Sequence, residues 1–134
     1  MGRFYTGDIE GKFWFAVQSS DDASFFGGNE EDVEEDGNVY EIQYFFDKED
    51  MEGIDDGLET CMYNILSISF ITVDVLETYF ESIDGYNDEI VSKALSIGKD
   101  KVKPLLEWYA RYVLGKKIKE CVESTGQCSF SAEL

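Results

Sequence analysis

A chain of 134 residues has the length of one domain around one core, and 43% apolar residues with 15% aromatics is too much oily surface for a disordered chain. Its 29 Asp and Glu against 11 Lys and Arg leave a formal charge of −18, a field that repels phosphate backbones and anionic lipid headgroups and so disfavours direct nucleic-acid and membrane binding. With no histidine, the commonest general base, the usual nucleophile-base dyads and most zinc sites drop out.

The N-terminus offers no secretory apolar run, since Gly7, Asp8 and Glu10 interrupt it. Gly2 and Thr6 fit the short myristoylation pattern, a match that chance alone supplies readily. Arg3 to Thr6 is expected to pair with a strand through Phe13, Phe15 and Val17, the turn using Gly7, Asp8 and Gly11. Gly7-x-x-x-Gly11-Lys12 lacks a spacer residue and the Ser/Thr of a phosphate loop, with Phe13 in that place. Ser20 is the expected cap of a short helical turn through Ala23 to Phe26, stopped by Gly27 and Gly28. Six of the seven residues Glu30 to Asp36 are carboxylates, and such density predicts a solvated, mobile loop around 28–37. Val39 to Phe46 alternates Tyr40, Ile42, Tyr44 and Phe46 with polar residues, which predicts a half-buried strand.

After Asp47 the spacing turns helical. Ile54, Leu58, Cys61, Met62 and Ile65 form the expected inward stripe of one helix, with Asp55, Asp56 and Glu59 near its N-terminal end. Ser67 to Val73 reads as strand or helix, its length being too short for periodicity to decide. The apolar run from Asn64 to Val73 has about half the roughly 20 residues of a membrane span. Thr72 caps a helix to about Ile83, with Val73, Leu76, Phe80 and Ile83 inward and a stop at Asp84-Gly85. Asn87 caps another, with Ile90, Val91, Ala94 and Leu95 inward and Gly98 as its stop. A last helix from near Lys101 to Ser124 tolerates Pro104 in its first turn and ends at Gly126, burying Val102, Leu105, Leu106, Tyr109, Val113 and Ile118. Gly115 inside it marks either close approach of another element or an imperfect helix. Gln127 to Leu134 either frays or adds an edge strand. The expected fold is α+β, a single domain 1–134 with an N-terminal antiparallel sheet of about three strands packed against three or four C-terminal helices.

Charge is divided unevenly: residues 1–90 hold 24 acids and 3 bases, residues 91–134 hold 5 acids and 8 bases. The strongest expectation about role is therefore a non-enzymatic interaction module presenting a negative face to a basic partner, with mimicry of DNA as its sharper form. The expected partner-binding residues are Glu30, Glu31, Asp32, Glu34, Glu35, Asp36, Asp55 and Asp56. Asp32 to Gln43 echoes a calcium loop in Asp32, Glu34, Asp36, Gly37 and Val39, but Gln43 stands where a bidentate glutamate closes such a loop. Asp32, Glu34 and Asp36 are the candidate ligands for Ca²⁺ or Mg²⁺; no other cofactor is expected.

Asp47, Glu49, Asp50, Glu52, Asp55 and Asp56 form a second acidic knot, better explained by a helix start than by two-metal or glycosidase chemistry. The competing readings are a carboxylate enzyme using a divalent metal, a homo-oligomer subunit, and acidity that only maintains solubility in a saline habitat. Cys61, Cys121 and Cys128 are too few and too widely spaced for a disulfide framework, which points to reduced thiols and a cytoplasmic setting. Trp14, Phe25, Phe26, Trp108 and Tyr112 are expected in the core more than in a recognition patch. Oligomeric state is left open.

Overall fold

The computed structural model describes residues 3–14, 17–83 and 87–134. Its architecture is α+β. Five strands, β1 (Phe4–Gly7), β2 (Gly11–Lys12), β3 (Asn29–Glu35), β4 (Asn38–Asp47) and β5 (Gln127–Glu133), form one antiparallel sheet in the order β2-β1-β5-β4-β3, where about three were expected. Four helices follow β4: α1 (Met51–Ser69), α2 (Val73–Glu81), α3 (Asp88–Leu95) and α4 (Lys99–Thr125). The Gly2 pattern, Phe15 and Ala16 of the expected second strand, and the Asp84-Gly85 stop lie outside the described residues.

The two additional strands come from segments whose backbone found partners that composition concealed. β5 is no edge: it pairs with β1 on one side and β4 on the other. Its sequence carried the signal, because Cys128, Phe130 and Ala132 are buried while Ser129 and Ser131 between them face outward. Tyr5, Ala132 and Ile42 form one inward row, and Phe130 with Tyr44 another. Tyr44 and Phe130 stack at 5.3 Å, and the Phe46 ring lies within 4° of parallel to Phe130. The segment after Lys12 departs from expectation differently: Val17 and Gln18 donate their N–H groups to the Trp14 carbonyl, a turn instead of a continuing strand.

Against the inner sheet face lie α1 and α4. Ile54, Leu58, Cys61 and Ile65 of α1 are buried as their spacing requires, but Met62 turns outward and is 39% exposed. Ser67 to Val73 is not strand: α1 continues to Ser69, whose hydroxyl donates to the Ile65 carbonyl at 2.8 Å, and Phe70 closes the helix at φ 59°. α2 then leaves at 80°. Asn87 caps α3 as expected, its Oδ1 accepting the Ile90 N–H at 2.8 Å. Of the four residues expected inward on α3, Val91 is buried, while Ile90 and Ala94 are exposed.

Gly126, at φ 87°, ends α4. Pro104 sits in its second turn, and Val113, expected inward, is half-buried. No single helix among the described residues is long and apolar enough to cross a membrane.

Gly115 marks a close approach. A Cβ there would stand 2.3 Å from Phe26 Cζ, and one on Gly57 would stand 2.6 Å from Phe26 Cδ1. The Phe26 ring thus fills the seam between α1 and α4, at a place where both helices lack side chains. Phe26 closes a short 3-10 helix, Asp22–Phe26, stopped by Gly27 at φ 83°. Ser20 does not cap it; its hydroxyl instead accepts from Arg3 Nη1 at 2.6 Å.

Candidate interaction surface

The segment expected as a mobile acidic loop is β3, one strand of a hairpin. Glu35 faces Asn38 across a two-residue turn, Asp36 at φ 53° and Gly37 at φ 82°, the positive-φ pair that matches strand twist. An Asp-Gly pair ahead of an alternating strand is the sequence signal for this turn, and the surrounding carboxylates obscured it. Repulsion among those carboxylates does not prevent a strand, because successive side chains point to opposite faces and same-face neighbours are about 6.6–6.8 Å apart. Glu30 and Asp32 pair with Tyr44 and Ile42 and share their face, whereas Glu31 pairs with Gln43 on the other. Val33 pairs with Glu41 and Glu34 with Val39, which leaves Tyr40 as the extra residue of a bulge.

β3 is the terminal strand of the sheet, and Glu30, Glu31, Asp32, Glu34, Glu35 and Asp36 are all exposed. None takes part in an ion pair among the described residues. Glu30 alone is held by a side chain, accepting from Ser24 Oγ at 2.6 Å; that hydroxyl also lies 3.1 Å from Tyr44 Oη. Asp55 and Asp56 do not join this edge group. Lys119 draws Asp55 toward α4 at 2.8 Å and that hydrogen bond raises the lysine's pKa, while Asp56 is exposed on α1. Asp32, Glu34 and Asp36 are strung along a strand and its turn, and no three Asp, Glu or Cys side chains among the described residues converge as metal ligands do.

No family model, curated protein or solved structure matches this chain.

Composition gave no hint of a buried polar clasp behind the edge. Asp22, 6% exposed, accepts from Arg111 Nε at 2.7 Å and from Gln18 Nε2 at 2.9 Å. Gln18 Nε2 also reaches the Ala110 carbonyl at 3.3 Å, and Gln18 Oε1 accepts the Trp14 N–H at 3.1 Å. Arg3 donates to the Gln18 carbonyl and to Ser20, extending the chain of bonds to the N-terminus. The Arg111 guanidinium lies 4.5 Å from the Trp108 ring and 4.9 Å from that of Phe25, which explains why Phe25 stays partly exposed. All of these groups are engaged with one another, so the clasp ties Arg3, Trp14, Gln18, Ser20 and Asp22 to α4.

The buried thiols of Cys61 and Cys128 are poor nucleophiles. Burial pushes Cys61 up to about 12, with Arg111 opposing and Asp22 assisting, and burial likewise raises Cys128. Tyr44 is pushed up to about 12 by burial, and Tyr109 and Tyr112 are raised for the same first reason. An acid whose folded-state pKa is raised keeps its proton in the folded chain while the unfolded chain has lost it, so stability falls as pH rises between the two values. For Cys61 and Tyr44 these windows open at 9.0 and 10.0 and extend to about 12. The unfolding free energy from urea titration is therefore expected to decline progressively above about pH 9, by up to about 1.4 kcal/mol per pH unit for each such group. Cys61→Ala is expected to remove part of that slope.

Proposed function

We propose that this chain is a protein-interaction module that offers the carboxylate-bearing edge of β3 to a basic partner. The observation that carries the reading is six exposed carboxylates free of ion pairs among the described residues, five on β3 and Asp36 in its turn, where β3 is the last strand of the sheet among the described residues. Such an edge supplies main-chain donors and acceptors for an added strand, and its charge steers and selects a Lys/Arg-rich extended segment. DNA mimicry fits less well, since it calls for two rows of carboxylates facing one way, and alternation along β3 divides them between two faces.

Charge on an edge strand also keeps copies of a protein from pairing edge to edge. Lysine guards an edge equally well, so charge reversal separates the two roles. The variant Glu31→Lys, Asp32→Lys, Glu34→Lys, Glu35→Lys is expected to remain folded and unaggregated yet to lose the basic proteins that the wild type retains from a lysate at low salt. Retention of the same set by the variant would overturn the proposal. A thermal shift with Ca²⁺ or Mg²⁺ that the same substitutions abolish would favour a metal-binding role instead.

A further inference from the structure

We infer that the outward face of α1, with the groove beside it, is a second docking site whose occupant is a basic amphipathic helix of a partner protein. Met62 and Leu66 stand one turn apart on the exposed side of α1, and Phe70, the left-handed residue that closes the helix, adds a third exposed apolar side chain just past its end. Their exposures are 39%, 47% and 83%, and Tyr63 beside them is 72% exposed. Scattered exposed apolar residues are ordinary, but a patch of them rimmed by charge is the signature of an interaction surface. Next to these side chains, α1 and α4 enclose a groove of about 530 Å³ that includes Leu58, Met62 and Tyr112 in its walls. Apolar anchors of a partner helix would lie along them and partly enter this groove.

The rim decides the occupant. Glu52, Asp56 and Glu59 continue the same exposed side of α1 toward its N-terminus, and Glu120 and Glu123 stand on the α4 wall. None of these five is in an ion pair within 4 Å among the described residues. Lys116 and Lys119, also in the groove, are committed to Glu77 at 3.2 Å and Asp55 at 2.8 Å. A helix with Lys and Arg flanking its apolar stripe complements this rim. A second copy of the chain would instead bring two such rims, and two net charges of −18, together.

The site is separate from the β3 edge, so the two can fail independently. The test is fluorescence anisotropy with a labelled helical peptide of about 18 residues, carrying leucines at i, i+4 and i+8 and flanked by lysine and arginine. Binding is expected to weaken about tenfold with Leu66→Asp and with Phe70→Asp, and to change less than about twofold with the four β3 lysine substitutions. Amide chemical-shift changes are expected at residues 59–70 and 116–123. Both substitutions are at exposed positions, and circular dichroism checks that the fold is kept. The inference is overturned by affinity that ignores Leu66→Asp and Phe70→Asp, by equal affinity for a peptide with glutamate in place of the basic residues, or by a wild-type dimer that Leu66→Asp dissociates.

Discussion

Gly115→Ala is expected to destabilise the fold by about 3 kcal/mol, although the same change at an exposed helix position stabilises by about 1 kcal/mol. The reversal of sign follows from the Phe26 ring. The added methyl would sit 2.3 Å from Cζ and 2.4 Å from Cε1, far inside van der Waals contact. The ring is closely bounded on its other side as well, because a Cβ on Gly57 of α1 would stand 2.6 Å from Cδ1. Either α1 and α4 separate or Phe26 leaves its rotamer, and both strain the largest helix seam in the core. Phe26→Ala removes the ring and leaves a cavity, at a cost of about 3–5 kcal/mol. In that background Gly115→Ala has space to occupy, so its cost is expected to vanish or turn into a small gain. Chemical denaturation of the two single variants and the double variant measures a coupling of about 2 kcal/mol or more. Additive effects would mean that the ring does not fill the seam.

Breaking the buried clasp carries the second large effect. Arg111→Ala leaves Asp22 with only the Gln18 amide at 2.9 Å, in a site where the carboxylate is 6% exposed. Removing one partner of a buried ion pair costs about 3–5 kcal/mol, chiefly because the other charge stays buried and uncompensated. Asp22→Ala is expected to cost a similar amount, since it strands the guanidinium between Phe25 and Trp108 and leaves one Gln18 donor with a longer bond to Ala110. Arg111→Lys is not expected to restore stability, because lysine lacks the planar fork that bonds through Nε while stacking on two rings. Replacing both members by apolar residues of similar volume should recover much of the loss, measured as the urea midpoint of the double variant against either single one. A double variant as unstable as the sum of the singles would show that the two groups act independently and that the single losses do not come from a stranded partner charge.

The parts of the fold legible in the sequence are those where one periodicity dominates. β4 announced itself by Ile42, Tyr44 and Phe46, and α4 by Val102, Leu105, Leu106 and Tyr109, all buried. β3 is hidden in the sequence because its carboxylates dominate the composition there, whereas the backbone of Asn29–Glu35 requires only the partner strand and the turn that Asp36-Gly37 provides. β5 was undervalued because a seven-residue tail shows its importance only once β1 and β4 are seen to lack any other neighbour on those edges. Met62 fell on the wrong side because a helical stripe widens in sequence more than the core beneath it can cover.

Of the expected partner-binding residues, six are gathered on one edge and Asp55 and Asp56 are not, a separation that only the three-dimensional position of Lys119 reveals. The Asp22–Arg111 pair, 89 residues apart, had no local signature at all.

The role proposed for the edge is tested most directly by one comparison of affinities. A basic protein captured by the wild type is titrated against the four-lysine β3 variant and against a variant with the same charge change on the helices away from the α1–α4 groove, Asp74→Lys, Glu81→Lys, Glu89→Lys and Asp100→Lys. Affinity is expected to fall about tenfold or more for the edge variant and to stay within about threefold for the helix variant, with salt weakening the wild-type complex. Equal losses in the two variants would mean that net charge, and not the β3 edge, draws the partner.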